Sequence, residues 1–252
     1  MSETPKNPEP TIIEAESPQR DILISETYRV HDETLIARFR RESVRTLREL
    51  FTILRSSLFV LPVMFLAALT MDVSFRGFDG PFDQMRNLAP GNWISQGSMY
   101  MMLSLLVLLL VTRRYGAVVA TRAIGMSWLL MIILGTIVLL WLAPQLSASD
   151  LPSGRYVLAF SISWMVAQIV AVQMYDLTRG SKWWRAPLYG GLIGQVAQTL
   201  IFFPATYGGY PVPWLNWMVT DVIVKTVCII AFLVPYHLLR RTIKPFIGLG
   251  GL

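Results

Sequence analysis

Hydrophobic positions along this chain fall into long blocks rather than into the short alternating runs of a strand-rich protein. Six blocks are about long enough to cross a hydrocarbon core of about 30 Å: roughly 55–72, 97–112, 117–142, 155–175, 186–206 and 213–238. The second is the shortest. Ahead of them, over 34–54, Ile36, Phe39, Val44, Leu47, Leu50, Phe51 and Leu54 recur at helical spacing while Arg38, Arg40, Arg41, Arg45 and Arg48 occupy the other positions. That pattern predicts a basic amphipathic helix lying at the lipid headgroup boundary, with a solvated helix as the plainer alternative. Residues 1–33 carry Pro5, Pro8, Pro10 and Pro18 among Ser, Glu and Thr and predict a disordered cytoplasmic tail. No basic start, apolar core and small-residue cleavage site stand together there, so a cleaved secretory signal is not expected.

Composition agrees with this division. Of 252 residues, 54% are hydrophobic and 15% charged, and mean hydropathy is +0.50. Those values exclude an ordinary soluble enzyme fold. The expected fold class is therefore all-α: a polytopic membrane protein with about six transmembrane helices over 55–240 and a cytoplasmic C-terminal tail over 241–252. One cysteine, Cys228, excludes an internal disulfide, and with only His31 and His237 the usual zinc ligand sets cannot be assembled.

The net charge of +6 points to topology rather than to nucleic acid, because the cations stand at the ends of the apolar blocks. Arg113, Arg114 and Arg122, then Arg179, Lys182 and Arg185, then Arg240, Arg241 and Lys244 fall on one side. Opposite them lie Arg76 and Arg86 among Asp72, Asp79 and Asp83, then Arg155 near Asp150, then the uncharged stretch from Tyr207 to Pro213. By the positive-inside rule both termini are expected in the cytoplasm. Trp93, Trp141, Trp183, Trp184, Trp214 and Trp217 near the block ends read as interfacial anchors.

Catalytic signatures are missing from the chain: there is no phosphate-binding Gly loop, nucleophile elbow or histidine pair at metal spacing. No enzyme activity and no cofactor are expected. Polar residues inside apolar blocks are the better lead, since each is costly in lipid unless it faces protein or water. In the last block Asp221 and Lys225 stand at i and i+4, on one helix face, and can pair. Because neighbouring spans run in opposite directions, Gln195, Gln198 and Thr199 come to a similar depth. The fourth block adds Ser161, Ser163 and Gln168. One reading of this cluster is interhelical adhesion, with Gly190, Gly191 and Gly194 allowing close approach. The other is a small-molecule site in which carboxamides, a carboxylate and an ammonium meet the aromatic residues Phe202, Phe203 and Trp217. Such a set suits a flat heterocycle, because side-chain amides pair with base edges at two points. Cys228 reads as a small core residue, and His237 as an interfacial one.

Three stretches together resemble the queuosine-precursor transporter family, also called the VUT family. Val111-Thr112-Arg113-Arg114-Tyr115-Gly116, with Ala120-Thr121-Arg122-Ala123, is similar to its Tyr-Gly, Ala-rich turn. Leu158 to Arg179 resembles its helix ending in Phe/Tyr-Asp-x-x-Arg/Lys. After Trp183-Trp184-Arg185, Gly194-Gln195-Val196-Ala197-Gln198-Thr199 stands where the family has Ser-Gln-x-x-Asp-Thr, and Lys225 resembles the lysine of its last helix. The resemblance covers roughly 60–245 and is best from 155 onward.

This resemblance implies a secondary carrier of the bacterial inner membrane that imports deazaguanine precursors of queuosine. In that picture Gln195, Gln198 and Asp221 hold the base edge, Lys225 neutralises Asp221 or meets a substrate carbonyl, and Phe202 or Trp217 stacks on the ring. Gln168 and Thr199 complete the expected set. The chain departs from the family at Gln198, where an aspartate is usual, at Gly194 in place of serine, and near Leu109 to Thr112, where an acid is missing. These departures and the amino-terminal extension motivate an alternative, a non-transporting subunit or assembly factor that meets a membrane-protein partner through its tail.

Overall fold

The computed structural model describes residues 35–80, 89–145 and 151–246. The expected disordered tail of 1–33 and the last residues, 247–252, lie outside the described residues. Six long helices run through the described residues: α1 (Leu35–Leu69), α2 (Gln96–Tyr115), α3 (Ala117–Leu142), α4 (Gly154–Leu177), α5 (Arg185–Tyr207) and α6 (Trp214–Leu239). All six are long and apolar enough to cross a membrane. The chain is an all-α polytopic membrane protein.

By its contacts the chain divides into two units, one ending at Glu49 and one beginning at Leu50. In the first, the described part is helical, Arg45 pairs with Glu49 at 3.3 Å, and Phe39, Val44 and Leu47 are exposed together with Arg40, Arg41, Arg45 and Arg48. The sequence predicts two elements here, an amphipathic helix to 54 and a span from 55 to 72. In the structure α1 is helical through both stretches and ends at Leu69. The reason is local: no Gly or Pro stands between Leu35 and Leu61 to break it, and every residue around Leu54 is compatible with a helix.

The other five helices follow the apolar blocks to within three residues at each end. Their ends are set by local chemistry. Ser95 caps α2 by accepting from Ser98 N at 3.1 Å, and Ser153 caps α4 by accepting from Tyr156 N at 3.3 Å. Between α2 and α3 there is one residue, Gly116, at φ 85°, a conformation that a side chain would strain.

In the second unit α2 is the most enclosed helix, whereas α3 and α6 present mostly exposed apolar surface of the kind lipid covers. Packing is tightest between α4 and α5. A Cβ on Gly190 would lie 2.8 Å from the Ala171 carbonyl oxygen, and one on Gly194 2.8 Å from that of Ala167. The pair four residues apart thus lets the two backbones meet as small residues do in membrane helices. Gly191, on the neighbouring face, admits Ile229 of α6. These contacts fix the rotation of α5, and with it the direction taken by Gln195, Gln198 and Thr199.

Candidate functional site

With α5 held in that rotation, Gln198 and Thr199 face Asp221 and Lys225 of α6. Lys225 Nζ lies 2.7 Å from Asp221 Oδ2 and also donates to Gln198 Oε1. Thr199 Oγ1 donates to the same Asp221 oxygen at 2.7 Å. Gln198 in turn reaches Ser163 Oγ of α4 at 3.5 Å. Asp221 is 1% exposed and Lys225 3%, so the charges are withdrawn from solvent and lipid alike.

Burying two charges costs several kcal/mol per ion, about as much as their attraction returns, unless hydrogen bonds satisfy what the pair leaves over. Here Thr199 and Gln198 supply those bonds. The i, i+4 spacing within α6 sets the pair, and the close α4–α5 contact brings its partners. A third aid comes from Trp164 of α4, whose ring lies 5.5 Å from the Lys225 ammonium and offers it a π face.

Gln195, one turn before Thr199, differs from these residues. It is 3% exposed, yet neither its Oε1 nor its Nε2 has a hydrogen-bond partner. Trp164 Nε1 is likewise buried and unpartnered. Unsatisfied buried groups of this kind are costly, about 1–3 kcal/mol each, and uncommon in finished cores.

The remaining residues expected at the site lie elsewhere. Gln168 belongs to a separate network, accepting from Trp128 Nε1 at 2.8 Å and donating to Ser104 Oγ at 3.2 Å. Both ends of its carboxamide are used, and it ties α2, α3 and α4 together. Phe202 packs edge-on against Tyr156, Phe203 and Tyr207, and Trp217 stacks on Trp93 with ring centroids 5.5 Å apart. These rings form an aromatic layer about one helical turn from the Asp221 pair, on the side of the α5–α6 turn. The aromatic side chain that meets Lys225 is Trp164, which sequence reasoning did not single out. Its signal was faint: an indole in mid-span, away from the interfacial positions where tryptophan usually sits.

Beyond the aromatic layer a polar cavity of about 310 Å³ opens between Asp72, Ser74, Asn92, Ser153, Tyr156 and Tyr207. Tyr156 Oη donates to the Met71 carbonyl at 2.8 Å, and Arg155 holds the end of α5 through Ala205 and Gly208 carbonyls at 2.6 and 2.7 Å. At the opposite end the Tyr175 and Tyr236 hydroxyls meet at 2.6 Å, and Arg179 bridges Asp176 at 3.1 Å and the Thr112 carbonyl at 2.9 Å. Among the described residues no group of His, Cys, Asp and Glu could hold a metal ion.

Fold and site together define a multi-pass helical membrane protein with an enclosed ionic centre between its last three helices. Residues 95–239, more than half of the chain, match the family described as "Putative vitamin uptake transporter", and the chain belongs to that VUT family. The matched stretch comprises α2 to α6 and contains the whole ionic cluster; α1 precedes it. No curated protein and no solved structure matches the chain.

Proposed function

We propose that this protein is a secondary transporter of the bacterial inner membrane whose cargo is a small, flat heterocycle with adjacent N–H and C=O groups, the deazaguanine precursors of queuosine being the class in view. The observation that carries the reading is Gln195. Its carboxamide offers one acceptor and two donors, all unused by the protein, beside a network that is otherwise satisfied. A base edge needs such a pairing face, and Trp164 adds a free indole N–H and a ring wall. In this reading Gln198, Thr199, Asp221 and Lys225 hold the floor of the site, while Phe202 and Trp217 form the layer separating it from the polar cavity at the acidic end. Gln168 supports the helices without touching cargo. Both termini face the cytoplasm, and no catalytic step is involved.

The test is binding followed by transport. A deazaguanine should raise the melting temperature of the purified protein and exchange into proteoliposomes that contain it, whereas adenine should do neither. Absence of both effects for every deazaguanine and guanine tested would reject the reading.

A second reading, a non-transporting membrane subunit, is favoured by the engagement of Lys225, the only buried ammonium among the described residues, by Asp221, Gln198 and Trp164. It expects a stoichiometric membrane-protein partner that is lost when residues 1–33 are deleted. A carrier would tolerate that deletion.

A further inference from the structure

A second cavity, of about 540 Å³, lies at the basic end of the bundle, away from the ionic cluster. Its volume is within the range of about 300–1,000 Å³ typical of ligand sites. Its wall changes character with depth. Phe59 of α1 with Val107 and Leu110 of α2 make the apolar part, and Arg114 and Lys244 stand where the spans end. Ile243 joins the two.

This wall is built, not incidental. Arg113 Nε donates to the Ile243 carbonyl at 3.2 Å, and Phe246 N donates to the Arg113 carbonyl at 2.7 Å, so the segment after α6 is pinned to the end of α2. The Phe246 ring lies over Gly116, where a Cβ would stand 3.1 Å from it. The pinning holds Lys244 on the same cavity as Arg114. Among the described residues no acid lines the cavity. From Leu50 onward the only described acid at this end, Asp176, is already paired with Arg179. Two cations without an acid among the described lining residues, above an apolar wall, form the complement of a molecule with an anionic head and a hydrocarbon body. Exposed apolar residues such as Phe59, 55% accessible, open the cavity toward the bilayer side of the bundle.

We propose that this cavity binds one anionic glycerophospholipid from the leaflet at the basic end, its phosphate between Arg114 and Lys244 and its upper acyl chain along Phe59, Val107 and Leu110. The site is independent of the proposed cargo site. A lipid held there touches α1, α2 and the segment after α6 at once.

Native mass spectrometry of the full-length protein, with phosphatidylglycerol or phosphatidylcholine of matched chains added in equal amount, tests the proposal. One phosphatidylglycerol should be retained in preference to phosphatidylcholine by roughly thirtyfold, as two cations near a lipid phosphate provide. The variant Arg114→Gln/Lys244→Gln should reduce the preference to near parity, while Arg240→Gln/Arg241→Gln at the same end should keep it. Arg114, Lys244 and Arg241 are exposed and Arg240 is half-buried against Trp183 and His237, so melting temperatures of both variants serve as the check on folding. In the wild-type protein phosphatidylglycerol should also raise the melting temperature where phosphatidylcholine does not. Equal retention of the two lipids, or an unchanged preference in the Arg114/Lys244 variant, would overturn the proposal. So would equally tight, Arg114-dependent binding of glycerol phosphate, which would assign the cations to a soluble anion.

Discussion

Lys225 and Asp221 form an ion pair of 2.7 Å, one turn apart on α6, with both side chains almost wholly enclosed. Removing one partner leaves the other charge buried without compensation. Asp221→Asn or Lys225→Met alone should therefore destabilise the protein by about 3–5 kcal/mol, whereas Asp221→Leu/Lys225→Met should cost much less. Thermal unfolding of all three in one detergent checks the order. If the pair also serves transport, the double variant will fold and fail to exchange cargo.

The α4–α5 contact yields a paired prediction on two mid-helix glycines. At Gly194 a Cβ would sit 2.8 Å from both the Ala167 carbonyl oxygen and the Ala171 Cβ, so Gly194→Val forces the helices apart at a cost of about 1–3 kcal/mol. It should also pull Gln198 and Thr199 from Asp221. At Gly125 in α3 nothing lies within 4 Å, and Gly125→Ala should stabilise by about 0.4–1 kcal/mol. Opposite shifts in melting temperature are expected.

Much of this was legible in the sequence for physical reasons. Apolar block length fixes spanning helices, and a rigid 3.6-residue period makes an i, i+4 Asp–Lys pair readable without a structure. The VUT resemblance, stated on motifs such as the Tyr-Gly turn, agrees with the family match; the structure adds that Gly116 alone makes that turn, at positive φ. Less legible was which way each helix faces. Gln168 and Gln198 look alike in sequence, yet only Gln198 turns toward Lys225, because Gly190 and Gly194 set the α4–α5 approach. Phe202 and Trp217 are legible as aromatic neighbours of the cluster because each stands about one turn from it along its own helix. Trp164, whose ring lies 5.5 Å from the Lys225 ammonium, comes from another helix and is brought there by packing.

The Gln168 network separates adhesion from function. Trp128→Phe removes a donor and leaves the Gln168 oxygen unpaired, while Gln168→Leu leaves the Trp128 N–H and the Ser104 hydroxyl without it. Either change should cost about 1–3 kcal/mol. Since the network carries no cargo group in the proposed reading, the KM for exchange should stay within about twofold of wild type, less than the ~1.4 kcal/mol that a tenfold change represents. A large rise in KM at Gln168 would return it to the binding site.

Orientation is open to chemical labelling, because Cys228 is the one cysteine and is buried. In a Cys228→Ala background, Ser181→Cys on the basic α4–α5 connection should react with a membrane-impermeant maleimide only after the cells are opened. Leu151→Cys, before α4, should react in intact cells. Reversal of the two patterns would invert the topology drawn from the positive-inside rule.

Gln195 allows stability and function to be set against each other at one residue. A buried carboxamide with no partner is a cost to the fold, so Gln195→Leu, close to it in size, should leave the melting temperature unchanged or raise it by relieving about 1–3 kcal/mol. An adhesive glutamine behaves in the opposite way, since its loss breaks bonds between helices. If Gln195 is instead kept for cargo, the same variant should lose the deazaguanine-induced rise in melting temperature and the exchange activity together. Gln195→Glu sharpens the comparison: it keeps acceptors but, when ionised, removes both amide donors and adds a charge, so it should bind a cargo carbonyl poorly and destabilise the protein. Melting curves with and without ligand for wild type, Gln195→Leu and Gln195→Glu decide between the two roles. A stable Gln195→Leu protein that still binds and exchanges the heterocycle would remove Gln195 from the site.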